Sequence, residues 1–159
     1  MRLGKPILAL VLASVPAAAE PVAQHAEANG LAVDFTVMTP NLIDIRGFVA
    51  KAALTNLTAE TLKIDGRALA PAALALEFRG PDGARVLHCS PPAPPPDDGV
   101  AGRVELLPKE TAELKYDAAI CIALRPGRYQ VRLHYANSEA THGEWVGDLT
   151  TDWATFVLR

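Results

Sequence analysis

Residues Tyr129-Gln130-Val131-Arg132-Leu133-His134-Tyr135 alternate strictly between bulky apolar and polar side chains. Period two places Tyr129, Val131, Leu133 and Tyr135 on one face of a strand and Gln130, Arg132 and His134 on the other. Weaker forms of the pattern recur along the chain. Val33, Phe35 and Val37 alternate within Leu31–Val37. Phe48, Ala50, Ala52 and Leu54 alternate within a strand read over Ile45–Asn56. Leu74, Leu76 and Phe78 precede the turn Gly80-Pro81-Asp82-Gly83, with Arg85–His88 as the returning strand. Ala112, Leu114 and Tyr116 oppose Thr111, Glu113 and Lys115. Short strands are further expected at Thr61–Ile64, Val104–Leu107, Ala119–Leu124, Glu144–Leu149 and Trp153–Leu158, and one helical turn at Ala68–Ala73. About eight to ten short strands with turn signals every 8–12 residues predict an all-β domain. Parallel strands need long crossovers, for which the spacing leaves no room. An immunoglobulin-like Greek-key β-sandwich of about eight strands is the first reading, and a small β-barrel the second.

Residues 1–19 are set apart. Arg2 and Lys5 precede the apolar run Pro6–Val15, and Ala17-Ala18-Ala19 supplies small residues before a cut. This is the three-part pattern of a cleavable export signal. Its apolar run is shorter than the roughly 20 residues a spanning helix needs. A periplasmic or secreted chain without a membrane span is expected, with residues 20–30 as a flexible N-terminal arm and 31–159 as one domain. Loss of Arg2 and Lys5 takes Lys+Arg from 15 to 13 against 18 Asp+Glu, so the mature chain sits near −5. It has no run of basic residues, and nucleic acid is not an expected partner.

Cys89 and Cys121 are the two cysteines. In an oxidising compartment such a pair is expected to form a disulfide, closing a loop of 33 residues. Between them, Ser90 to Gly99 contains Pro91, Pro92, Pro94, Pro95 and Pro96. Prolines lack the N–H a ladder requires, so 90–99 is read as an exposed loop of polyproline character. Asn56-Leu57-Thr58 fits a glycosylation triplet and is read as a plain turn. Arg125-Pro126-Gly127-Arg128 is a candidate type II turn with Gly127 at positive φ.

Ala53-Leu54-Thr55-Asn56-Leu57-Thr58, Leu107-Pro108-Lys109-Glu110-Thr111 and Leu124-Arg125-Pro126-Gly127-Arg128-Tyr129-Gln130-Val131 together resemble the strand and turn signatures of bacterial immunoglobulin-like domains. The layout over residues 45–159 resembles that of BsuPI-type proteinase inhibitors. Trp145-Val146-Gly147 with Trp153–Leu158 resembles the final hairpin of other secreted modules of this kind. The chain departs from the pattern at Lys109, where glycine is commoner, and in the proline loop. The resemblance implies a sandwich and, for function, a secreted proteinase inhibitor.

The catalytic inventory is sparse. Ser90 and Ser138 stand outside G-x-S-x-G. Cys89 adjoins His88, but neighbouring side chains of a strand face opposite ways. Asp97-Asp98 falls in the proline loop, Asp148 and Asp152 stand singly, and no glycine-rich phosphate loop occurs. An enzyme is therefore not expected, and no cofactor is implied. His134, His142 and Glu144 are candidate metal ligands across the last hairpin, which would make the chain a periplasmic metal-handling protein. Trp145 and Trp153 are a candidate aromatic platform for a sugar or peptide. With Ala154, Phe156 and Leu158 inward, Trp153 faces out. The leading functional expectation is an exported, non-catalytic binding or accessory module that recognises a protein or peptide.

Overall fold

The structure, a computed structural model, describes residues 20–64, 75–86, 104–117, 124–140 and 143–159. Cys89, Cys121, His142, the proline loop and the signal segment lie outside the described residues, as do the expected helical turn at 68–73 and all but Leu124 of the strand expected at 119–124. No helix among the described residues is long and apolar enough to cross a membrane.

Twelve strands are described. They are β1 (Val22–Ala28), β2 (Leu31–Val37), β3 (Asn41–Leu42), β4 (Val49–Asn56), β5 (Leu62–Ile64), β6 (Ala75–Arg79), β7 (Arg85–Val86), β8 (Val104–Leu106), β9 (Thr111–Asp117), β10 (Gly127–Asn137), β11 (Gly147–Thr150) and β12 (Ala154–Leu158). A four-stranded sheet has the order β1-β2-β4-β9. A six-stranded sheet has the order β3-β12-β10-β6-β7, with β11 also on β10, and β5 pairs with β8. All pairings are antiparallel except β3 with β12. The protein is an all-β sandwich. The sheets do not close into a barrel, because distinct edge strands bound each.

The inward residues of both sheets form one cluster. Leu31, Val33, Phe35, Val37, Ala50, Ala52 and Leu54 come from the first sheet, and Phe78, Tyr129, Val131, Leu133, Tyr135, Ala154, Phe156 and Leu158 from the second. Phe156 is its aromatic hub, with ring centroids 5.2 Å from Phe48, 6.2 Å from Phe78 and 5.5 Å from Tyr129. Each such pair adds a little beyond the area it buries.

Four expectations are corrected. Residues 20–30 are not an arm. They form β1 and the two-residue Asn29-Gly30 turn, with β1 paired to β2 from Val22↔Val37 to Ala28↔Leu31. Asn29 and Gly30 both take positive φ, 47° and 77°, which matches the right-handed twist of a tight hairpin. The strand read over Ile45–Asn56 starts only at Val49, because Ile45–Gly47 is a 3-10 turn capped by Asp44, whose carboxylate accepts from the Arg46 N–H at 2.9 Å. Glu144–Val146 precede β11 rather than belong to it. Gly127 is not at positive φ. It opens β10, and glycine is required because a Cβ there would lie 2.7 Å from Cγ of Pro81.

One local irregularity decides the site. His134 pairs with Thr150 and Val131 with Ala154. Between these pairs, Arg132 and Leu133 of β10 face Thr151, Asp152 and Trp153. The extra residue is a bulge between β11 and β12 that re-aims the side chains beyond it. Buried Thr151 pins it: the Leu133 N–H donates to Oγ1 of Thr151 and the Thr151 N–H to the Leu133 carbonyl, both at 3.0 Å. Leu149 and Ala154 thus both point inward although five positions apart, and Trp153 points out.

Candidate functional site

The outward residues of the six-stranded sheet form a polar and aromatic face. Alternation along β10 turns Arg128, Gln130, Arg132 and His134 outward. Gln130 lies opposite Arg79, and Arg132 opposite Glu77. Trp153 enters from the bulge. The Arg79 guanidinium carbon lies 4.2 Å from the centroid of the Trp153 ring, and that of Arg132 lies 4.5 Å from it. Both distances are within cation–π range.

Glu77 organises the arginines from below. Arg132 donates to its Oε2 from Nε at 2.7 Å and from Nη2 at 2.6 Å, and Arg85 reaches Oε1 at 3.3 Å. The Glu77 side chain is only 14% exposed. Partial burial pushes its carboxyl upward. The hydrogen bond and charge of Arg132, then the charges of Arg85 and His134, outweigh this and hold it below the ordinary carboxylate range. Arg79 and Arg128 are exposed and have no carboxylate partner among the described residues. Beside this face the turn Gly80–Ala84 and the segment Leu124–Pro126 bound a shallow open cleft of about 470 Å³, with Arg85 and Arg125 on its walls.

The two tryptophans do not share a platform. Trp145 is buried, stacked on Tyr135 at 5.0 Å, and its indole N–H donates to the Asn29 carbonyl at 3.1 Å. Asn29 Nδ2 donates in turn to the Val146 carbonyl at 2.8 Å, and Asn137 Nδ2 to the Trp145 carbonyl at 2.7 Å. Trp145 ties the β1–β2 turn to the segment before β11, which is a structural duty. Trp153 alone is available at the surface.

Of the candidate metal ligands, His134 and Glu144 are described and His142 is not. His134 Nε2 bonds Asp148 Oδ1 at 3.1 Å, and Asp148 also accepts from the Thr150 hydroxyl. Glu144 forms a β-bridge with Lys63. Among the described residues no group of three His, Cys, Asp or Glu is placed to hold a metal ion.

Asn56 is fully buried. Its Nδ2 donates to the carbonyls of Glu60 and Leu106, and its Oδ1 accepts from the Thr58 N–H and hydroxyl. The Asn56-Leu57-Thr58 triplet is therefore a turn, and its amide is not available for glycosylation in the folded domain.

A separate cluster lies on the outer face of the first sheet. His25 Nδ1 bonds Asp34 at 2.6 Å and its Nε2 bonds Glu27 at 2.9 Å. The hydrogen bond to Asp34, then that to Glu27, raises its pKa above the ordinary value of 6.5. The group contributes stability fully below pH 6.5 and loses it as pH rises through the raised value. In a proton NMR titration His25 is expected to titrate above 6.5, and Asp34→Asn to bring it down toward 6.5. A wild-type value at or below 6.5 would count against this geometry in solution.

No protein-family model, no curated protein and no solved structure matches the chain. The class rests on the fold, an all-β sandwich, and on the arginine–tryptophan face of its six-stranded sheet.

Proposed function

We propose that this chain is an exported, non-catalytic binding or accessory module that recognises a protein or peptide in the periplasm or outside the cell. One observation carries the reading: Trp153 stands half-exposed on the outer sheet face with the guanidiniums of Arg79 and Arg132 against it. Tryptophan and arginine are the residues most enriched where protein surfaces bind one another. A bulge and a partly buried carboxylate hold them in place, so little ordering entropy is lost on contact.

The test is native mass spectrometry of the mature chain gently purified from its own compartment, beside Trp153→Ala. The wild-type chain is expected to carry a stoichiometric protein or peptide that the variant lacks. A bare wild-type monomer, or a partner retained equally by the variant, would overturn the assignment to this face. The inhibitor function implied by the family resemblance has its own test in titration against a panel of proteases.

A further inference from the structure

We infer that the arginine–tryptophan face docks an extended acidic segment of a partner protein, with Arg79 and Arg128 each taking one carboxylate; this rests on the binding-module reading above. Within the face, Arg132 displays the mode. Its guanidinium carbon lies over Trp153, 4.5 Å from the ring centroid, and its Nε and Nη2 go to the carboxylate of Glu77. Stacking on an aromatic ring occupies the plane of a guanidinium and leaves its edge donors free for a carboxylate. Arg79 repeats the first half of this arrangement at 4.2 Å from the same ring. The second half is missing, since no carboxylate among the described residues reaches it. The ring thus lies against an exposed cation that has no carboxylate partner among the described residues.

Spacing specifies the segment. Gln130 lies directly opposite Arg79, so Arg128, two residues along β10, is its diagonal neighbour on the same face. Such diagonal neighbours stand roughly 7–8 Å apart. Alternate side chains of an extended chain repeat at about 6.8 Å, so a segment with Asp or Glu at every second position matches the two arginines. Charge complementarity points the same way. Arg79, Arg85, Arg128, Arg132 and His134 share this side of the sandwich with two sheet carboxylates, Glu77, which takes Arg85 and Arg132, and Asp148, which takes His134, in a mature chain that is acidic overall.

The probe is an eight-residue peptide alternating Glu and Thr, compared with its Gln–Thr counterpart, each titrated into the mature protein by calorimetry. The Glu peptide is expected to bind and the Gln peptide not to. Arg79→Gln should raise its Kd by about tenfold, and Arg79→Lys, which keeps the charge but loses the flat fork, by less. Arg79 is an exposed strand site, so unchanged melting midpoints are expected to accompany the loss. Four results overturn the inference: no binding of the Glu peptide, equal binding of the Gln peptide, equal binding to Arg79→Gln, or displacement by inorganic phosphate at matched concentration. Sedimentation that reveals a dimer lost in Arg79→Gln would name a second copy as the occupant, and also overturns it. If the native-purified chain carries a partner released by Trp153→Ala but not by Arg79→Gln, the binding-module reading stands and only the acidic-segment inference fails.

Discussion

Replacing Asn56 by alanine is expected to destabilise the domain by about 2–4 kcal/mol, lowering its melting midpoint by about 5–15 °C. One fully buried side chain makes four polar contacts: it donates to the carbonyls of Glu60 and Leu106, accepts from the Thr58 N–H, and shares the single Thr58 hydroxyl proton with the Glu60 carbonyl. Methyl in place of the amide removes all four. The Thr58 hydroxyl retains the Glu60 carbonyl at 2.8 Å, and Glu60 is exposed enough to be hydrated. The Leu106 carbonyl sits in the core and finds no substitute. A buried acceptor left unmatched costs about 1–3 kcal/mol by itself. The same turn sets the neighbouring backbone, with Lys109 N–H donating to the Asn56 carbonyl and Asn56 N–H to that of Glu110. Asn56→Asp should be at least as damaging, because it brings a charge against two carbonyl oxygens. Urea unfolding of the three proteins measures this, and a loss under about 0.5 kcal/mol for the alanine variant would refute it.

Reduction of the proposed Cys89–Cys121 bridge is expected to cost roughly 3–4 kcal/mol, the chain-entropy value for opening a 33-residue loop. The mature protein, denatured without reductant, should titrate no thiol. Reductant, or joint Cys89→Ser and Cys121→Ser substitution, should lower the unfolding midpoint by matching amounts. Two reactive thiols in the unreduced, denatured chain would refute the bridge.

Several parts of the fold were legible residue by residue. Alternation in Tyr129–Tyr135 sent Tyr129, Val131, Leu133 and Tyr135 into the core, and that in 48–54 did the same for Phe48, Ala50, Ala52 and Leu54. The outward position of Trp153 followed from Ala154, Phe156 and Leu158. The strand β1 was missed although its signal was present: Asn29-Gly30 is the strongest short hairpin turn, and Val22, Gln24, Ala26 and Ala28 alternate before it. Its small, weakly apolar inward residues hid it, because hydrophobic periodicity is faint when the buried face carries alanine and glutamine. The positive φ assigned to Gly127 failed for a different reason. Its glycine answers the approach of Pro81, 46 residues away, which no local turn rule registers.

The candidate site was half legible. Trp153 was singled out from its sequence, but so was Trp145, and both sit beside the closing strands. They differ because Trp145 meets Tyr135 and Asn29, while the bulge at Thr151 turns Trp153 outward. Arg79, Glu77 and Arg132 attracted no notice, being ordinary outward residues of ordinary strands.

The sequence by itself determined the class of fold and which side of each strand is buried, because period-two alternation and turn residues act within a few positions of the chain. The tertiary structure alone decided which strands are neighbours. β6 and β12 flank β10 although about 75 residues separate Arg79 from Trp153, and only that strand order brings the Arg79 guanidinium onto the indole. Strand order is set by the joint burial of two sheet faces, a property of the whole core, so a surface site assembled across it carries no local signature.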